Sequence, residues 1–332
     1  MGTGAVKGPV YTIRRILNVL WFWAGATRAA FSSASMVPVA LGGAVAASHG
    51  SFATVPFLLS AAGVLALHLG ANLVNDYYDF ASGADEIRDD RTPFYGGGTI
   101  LVNGTLDPYE VSQAYRALFA AAALISLILA VSRGPAVVAL GLAGFLCGYC
   151  YTAPPLRLSY IGLGEATIGL SFGPLTVISV YYVQAGRLDA GALEALAASL
   201  PVGLLVAAIV FVNEFPDRAA DSACGKRTLV ARLSLRTAAA GYAALVLAPF
   251  AVIAAAISLG WLPRATALTY LAAPLAFLGI RNLRAAYGLS ASRRAAAASG
   301  GYVASCQVAA SLFTILLHLA VGLLLSLGFM LG

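Results

Sequence analysis

The sequence predicts an all-α polytopic membrane protein: nine transmembrane helices bundled around a central cavity open to the cytoplasmic side. Three observations predict this. Of 332 residues, 60% are hydrophobic and only 10% charged, whereas a soluble domain carries roughly 25% charged residues. The mean hydropathy is +0.85. The apolar residues also gather into runs near the roughly 20 residues that cross about 30 Å of hydrocarbon. No water-facing surface can be built from this composition, so lipid is the solvent for most of the chain.

The runs fall at 29–48, 54–78, 112–132, 135–152, 161–184, 195–216, 237–259, 265–283 and 302–329. Short loops separate them, as in a helical bundle and not a barrel. Pro38, Pro174 and Pro201 lie inside runs, which membrane helices with neighbours tolerate. Residues 1–28 read as an interfacial segment, since Trp21, Trp23 and Arg28 suit a membrane boundary better than a signal peptide. Residues 29–332 then form a single domain.

Charge sets the orientation. The net charge is +6, but the basic residues stand singly between apolar runs, which excludes nucleic acid as a partner. Of 20 Lys and Arg, 17 fall on the N-terminal side of the membrane and only Arg133, Arg187 and Arg264 on the other. The positive-inside rule places the N-terminus in the cytoplasm and, with nine spans, the C-terminus outside. Of 14 acids, only Asp189 and Glu194 fall outside. Topology does not require that, so something on the cytoplasmic face needs carboxylates. The cysteines (147, 150, 224 and 306) form no disulfide framework, and Cys147-x-x-Cys150 lies in an apolar run as buried packing.

The acids form two clusters at helix ends. In "NLVNDYYDFASGAD" (72–85), Asn75 and Asp79 are four apart and share a helical stripe, with Asp76 beside them. Asp85 follows Gly83, where the helix has ended. In "NEFPDRAADSACGKRTLVARL" (213–233), Asn213, Asp217 and Asp221 form one ridge, followed by Lys226 and Arg227. Stacked like charges repel. They ask for a cation, and removing one of them is expected to leave the fold unharmed. All-oxygen ligands suit Mg²⁺ or Ca²⁺, and Mg²⁺ is commonly shared between carboxylates and substrate phosphates. Two acidic ridges with a basic strip thus read as a metal-bound diphosphate site. Ordinary solvated loop acids are the plainer reading, which the repeated Asn-x-x-x-Asp spacing on one face disfavours.

At these residues the chain resembles the UbiA superfamily of intramembrane aromatic prenyltransferases. "NDYYDFASGAD" is similar to the family's first Asp-rich element, "NEFPDRAAD" to its second, and "YTAPPLRLSYIGLGE" (151–165) to its segment after the fourth span. Many members place the third acid at the position held here by Gly83. The acid at Asp85 instead is more similar to the MenA branch, which prenylates 1,4-dihydroxy-2-naphthoate for menaquinone. Glu214 departs from that branch, where a second Asn is common.

The resemblance implies transfer of a polyprenyl group from its diphosphate to an aromatic acceptor, with the bilayer as surroundings and no protein partner. It implies Asp76, Asp79, Asp85, Asp217 and Asp221 as catalytic acids. Two Mg²⁺ would be held by Asn75, Asp79, Asp85, Asn213, Asp217 and Asp221. Arg28, Arg157, Lys226 and Arg227 would bind the diphosphate, and Tyr78, Tyr149 and Tyr151 the prenyl and aromatic groups. Other acceptors in the family (hydroxybenzoate, homogentisate, a glycerol phosphate lipid) are the alternative. An ion-coupled transporter is the alternative from another class, disfavoured because transporter sites lie near the midplane. "FYGGGT" (94–99) reads as a lid in preference to a phosphate cradle, and His68 and His318 as satisfied core residues.

The charge asymmetry gives an expected outcome. A single cysteine placed at position 222 reacts with an impermeant thiol reagent only from the cytoplasmic side, and one at position 190 only from outside. The opposite labelling pattern inverts the orientation.

Overall fold

The computed structural model describes residues 18, 21–83, 99–289 and 300–332. Asp85 and residues 94–98 of the glycine-rich loop lie outside the described residues. Among the described residues, every regular element is helical. A 3₁₀ turn, Ala29–Ser32, leads into α1 (Ser33–Ser48), and α2 spans Thr54–Ala81, α3 Pro108–Arg133 and α4 Ala136–Cys150. Helix α5 (Gly164–Leu170) passes through a π turn at Ser171–Leu175 into α6 (Thr176–Ala185). Then come α7 (Ala190–Ala223), α8 (Leu235–Ser258), a 3₁₀ stretch (Arg264–Ala272) running into α9 (Ala273–Ala286), and α10 (Gly300–Leu331).

Among the described residues, seven helical units are long and apolar enough to cross a membrane. Helix α4 is apolar but has only 15 residues, and the predicted run at 265–283 begins as 3₁₀ helix. Helices α2 and α7 continue past their predicted ends, to Ala81 and Ala223. Their terminal Asn and Asp residues line the interior of the bundle, so the helices continue where the hydropathy has already fallen.

Local signals place the boundaries. Asp107 caps α3 by accepting from the Glu110 amide at 2.9 Å, while the Glu110 side chain accepts from the Asp107 amide at 3.0 Å. Pro108 at the first helical position needs no partner for an amide it lacks. Within α7, Pro216 cannot donate to the Val212 carbonyl four residues earlier. Gln307 on α10 donates to that carbonyl instead, at 2.7 Å. A break in one helix is thereby repaired from another, between Asn213 and Asp217.

The helices close into a ring, because α10 packs against α1 as well as α7 and α9. One apolar core joins α1, α6, α7, α8, α9 and α10. On the other side of α7, helices meet without side chains. A Cβ on Gly203 would lie 2.5 Å from the Gly169 carbonyl oxygen, and one on Gly173 2.7 Å from the Gly203 Cα. Such backbone contact is how membrane helices gain packing when lipid supplies no hydrophobic drive. Between α1, α2, α3, α4, the α5–α6 unit and α7 lies a cavity of about 340 Å³. Its wall on α2 runs from Asp79 to Ser60, roughly 28 Å along the helix axis, close to the depth of the hydrocarbon layer.

Gly203→Val forces α5 and α7 apart. It is expected to lower the melting temperature of the detergent-purified protein by the equivalent of about 1–3 kcal/mol or more. Gly241→Ala, whose Cβ would meet Phe211 at an ordinary 3.5 Å, is expected to be neutral. Equal melting temperatures for the two variants contradict this packing.

Candidate active site

The first acidic cluster is positioned by the end of α2. Helical spacing turns Asn72, Asn75 and Asp79 toward the cavity, while Asp76 is buried against Arg28, with which it pairs. The Arg28 guanidinium also donates to the Asn75 side-chain oxygen at 3.2 Å. Asn72 donates to the Thr27 carbonyl at 2.9 Å, tying down the turn before Arg28. Arg28 and Arg157 are the only described non-glycine residues with positive φ, at 53° and 45°. That conformation costs roughly 1–2 kcal/mol in an L-residue, and at Arg28 these contacts hold it.

The second cluster comes from α7. Asn213, Glu214, Asp217 and Asp221 line the same end of the cavity. Asn213 accepts from Ser311 of α10 at 2.8 Å. Glu214 is buried, and so is Glu165 at the start of α5, which accepts from the Leu229 amide at 3.0 Å. Beyond α7 the chain turns back, and Lys226 Nζ reaches Asp79 at 3.2 Å. Tyr160, from the segment between α4 and α5, donates to Asp79 at 3.2 Å. Burial and the adjacent Asp79 push this phenol above its ordinary pKa, so it stays a donor. Asn75 donates to Asp79 at 3.1 Å and to Thr152 at 2.9 Å.

This corrects the expectation from spacing alone. Asp79 is not destabilised by like charge that its removal would relieve. It is buried together with Lys226, and each compensates the other.

Of the residues singled out from the sequence, Asn75, Asp79, Asn213, Asp217, Asp221, Arg28, Lys226 and Tyr151 all line the cavity. Arg157 and Arg227 are exposed. Arg157 lies over the Tyr160 ring at 5.4 Å. Tyr78 and Tyr149 share a hydrogen bond of 3.1 Å and pack among Tyr77, Tyr115, Phe119 and Phe145 rather than in the cavity wall. Asp85 lies outside the described residues. Sequence reasoning did not single out Thr152, Tyr160 or Glu165. All three fall within the segment 151–165, but nothing in its spacing marks which side chains turn inward. His68 lines the cavity and hydrogen-bonds Ser35, whereas His318 is fully buried without a hydrogen-bond partner among the described residues.

No three Asp, Glu, His or Cys side chains among the described residues converge on a metal position. The donor set nonetheless fits a hard cation. Asn75, Asp79, Asn213, Asp217 and Asp221 line one cavity, and side-chain oxygens are the ligand type that Mg²⁺ takes with phosphate oxygens.

An apolar, membrane-deep cavity with acids and cations at one end marks the chain as a membrane enzyme. The sequence matches the model of the UbiA prenyltransferase family over residues 35–304. The chain belongs to this family, and is an integral membrane enzyme that transfers prenyl groups. It is 29% identical over 235 residues to the 1,4-dihydroxy-2-naphthoate octaprenyltransferase of Bacillus subtilis, covering 71% of each chain. The fold is that of a UbiA homolog from Aeropyrum pernix, with a TM-score of 0.61, 18% identity and 90% and 97% of the two chains covered. A UbiA homolog from Archaeoglobus fulgidus, solved with DMAPP and Mg²⁺, aligns with a TM-score of 0.54, 16% identity and 90% and 98% covered.

Asp79→Ala takes from the buried Lys226 the carboxylate that lies 3.2 Å from its Nζ, a loss expected to cost about 3 kcal/mol. Adding Lys226→Met to that variant restores most of the melting temperature. Additive losses in the double variant show that the pair is not coupled.

Proposed function

We propose that this enzyme transfers a polyprenyl group from its diphosphate to an aromatic carbon, with 1,4-dihydroxy-2-naphthoate as acceptor on the way to menaquinone. The observation that carries it is one cavity combining an acidic, cation-flanked head with an apolar length matching the membrane. The named activity of the Bacillus subtilis relative supports the acceptor, as does the acid at Asp85 in place of Gly83. The DMAPP and Mg²⁺ of the Archaeoglobus fulgidus homolog support the donor class and the metal.

Asn75, Asp79 and Asp85 would hold one Mg²⁺, and Asn213, Asp217 and Asp221 a second. When bound, the ions supply Lewis-acid neutralisation of the diphosphate. The chain's own residues do the remainder. Lys226 and Arg28 bind the anionic head from inside the cavity, with Arg157 and Arg227 outside it to gather anions. Fixed charge where negative charge grows lowers the barrier without reorganisation. Tyr151 and the apolar wall shield the allylic carbon from water. The prenyl C–O bond breaks, a C–C bond to the ring forms, and the ring releases its carboxyl as CO₂. In this reading nine spans place the N-terminus and the acidic end in the cytoplasm and the C-terminus outside, with residues 1–28 at the interface.

Purified enzyme offered one prenyl diphosphate and several hydroxyarenes, with products read by mass spectrometry, should prenylate dihydroxynaphthoate best. Turnover should require Mg²⁺ and vanish in excess EDTA. Asp85→Ala should lose about 100-fold in turnover, the scale of one fixed electrostatic contact of about 3 kcal/mol, while Asp89→Ala should lose little. Preference for hydroxybenzoate removes the naphthoate acceptor, and full turnover in EDTA removes the metal site.

A further inference from the structure

His68 has no part in the chemistry described so far, yet it lines the cavity on the same face of α2 as Asn75. It stands seven residues, or two turns, before Asn75, roughly 10 Å along the axis. That is deeper than the diphosphate end and near where a ring attacking the first prenyl carbon must sit. Its position is fixed on two sides. Nδ1 hydrogen-bonds Ser35 of α1, and the ring meets Phe172 edge-on, with centroids 5.0 Å apart. Phe172 belongs to the π turn between α5 and α6, a helix defect often found at functional sites.

Among the other polar side chains of the wall near it, Arg28 already pairs with Asp76 and Asn75, and Asn72 donates to the Thr27 carbonyl. The hydroxyls of Ser60, Ser126, Ser171, Thr176 and Ser179 also line the cavity. Each donates its proton to a backbone carbonyl, over 2.6–3.2 Å. His68 Nε2 makes no hydrogen bond among the described residues. A polyprenyl tail carries no hydrogen-bonding atom and gains nothing from an imidazole in its wall. The second substrate does carry such an atom. A hydroxyl both donates and accepts, so it pairs with Nε2 in either tautomer of the ring.

We infer that His68, braced by Ser35 and Phe172, is the subsite that binds a hydroxyl of the aromatic acceptor and sets how its ring lies against the prenyl carbon. This rests on the reading of the enzyme as an aromatic prenyltransferase. His68 is a positioning residue, and its loss acts on one substrate and not the other.

The experiment is steady-state kinetics with each substrate varied in turn, in detergent-purified wild type, His68→Phe, His68→Gln and Ser35→Ala. For His68→Phe the acceptor KM should rise about tenfold or more, the effect of one lost hydrogen bond to a buried group, with the donor KM within about twofold. His68→Gln should recover most of the loss, and Ser35→Ala should lie between. The acceptor monomethyl ether that wild type binds worst should be bound by His68→Phe as well as the parent compound. If His68→Phe does not fold, His68→Leu takes its place. An unchanged acceptor KM, or a parallel rise in donor KM, overturns the subsite while leaving the prenyltransferase intact. A wild-type enzyme that prenylates no hydroxyarene overturns the functional reading, and this subsite with it.

Discussion

A carboxylate at the edge of a membrane cannot be left bare, and the burial of Asp79 organises the active end of this enzyme. Three parts of the chain converge on it: Asn75 from its own helix, Tyr160 from the segment between α4 and α5, and Lys226 from the turn after α7. None would hold its place alone. Lys226 is buried, which a lysine tolerates only against an opposite charge. Tyr160 supplies a neutral hydrogen bond and also lies under the Lys226 and Arg157 cations, at 5.7 and 5.4 Å. Lys226 thereby joins the two acidic clusters, its Nζ donating to Asp79 and its amide to the Asp221 carbonyl at 2.8 Å. The same arrangement presents positive charge to any phosphate that enters.

The cavity's length and shape depend on a different kind of contact. Gly169 and Gly173 let the α5–α6 unit rest on α7 backbone to backbone. The π turn that follows Gly169 swings Phe172 toward His68. Side chains in place of these glycines would widen the gap between helices and move both the ring and the carboxyl of Glu165. Pro216 and Gln307 act similarly on α7: the proline removes one donor from the hydrogen-bond ladder between Asn213 and Asp217, and Gln307 keeps the Val212 carbonyl paired.

The opposite end of the bundle is built as a closure. Asp189 caps α7 by accepting from the Gly191 amide at 3.2 Å, and also pairs with Arg187 and Tyr181. Those bonds hold its pKa down at about 2, the Tyr181 hydroxyl contributing most. His49 reaches Glu194 across the same surface at 3.2 Å. Here Asp189 is matched by Arg187 two residues away, while His49 and Glu194 come from segments 145 residues apart. At the active end, Asp79 and Lys226 are drawn together across 147 residues and are buried, unlike these exposed pairs.

The sequence by itself determined the helical membrane class, the family and the two ridges of acid and amide, because these follow from composition and from spacing along one helix. Hydropathy marked the interiors of α2 and α7 but stopped short of their ends, since polar residues that face a cavity look the same in sequence as residues that face water. What only the tertiary structure decided are the contacts between segments. Lys226 lies 147 residues from the Asp79 it neutralises, and Tyr160 is one of several tyrosines near the motifs. Tyr151 faces the cavity while Tyr78 and Tyr149 pack away from it. Even His68, an ordinary core histidine by its surroundings in sequence, acquires a direction only when α1 and the π turn close around it. Local spacing fixes which residues share a face, and only the packing of helices fixes what that face meets.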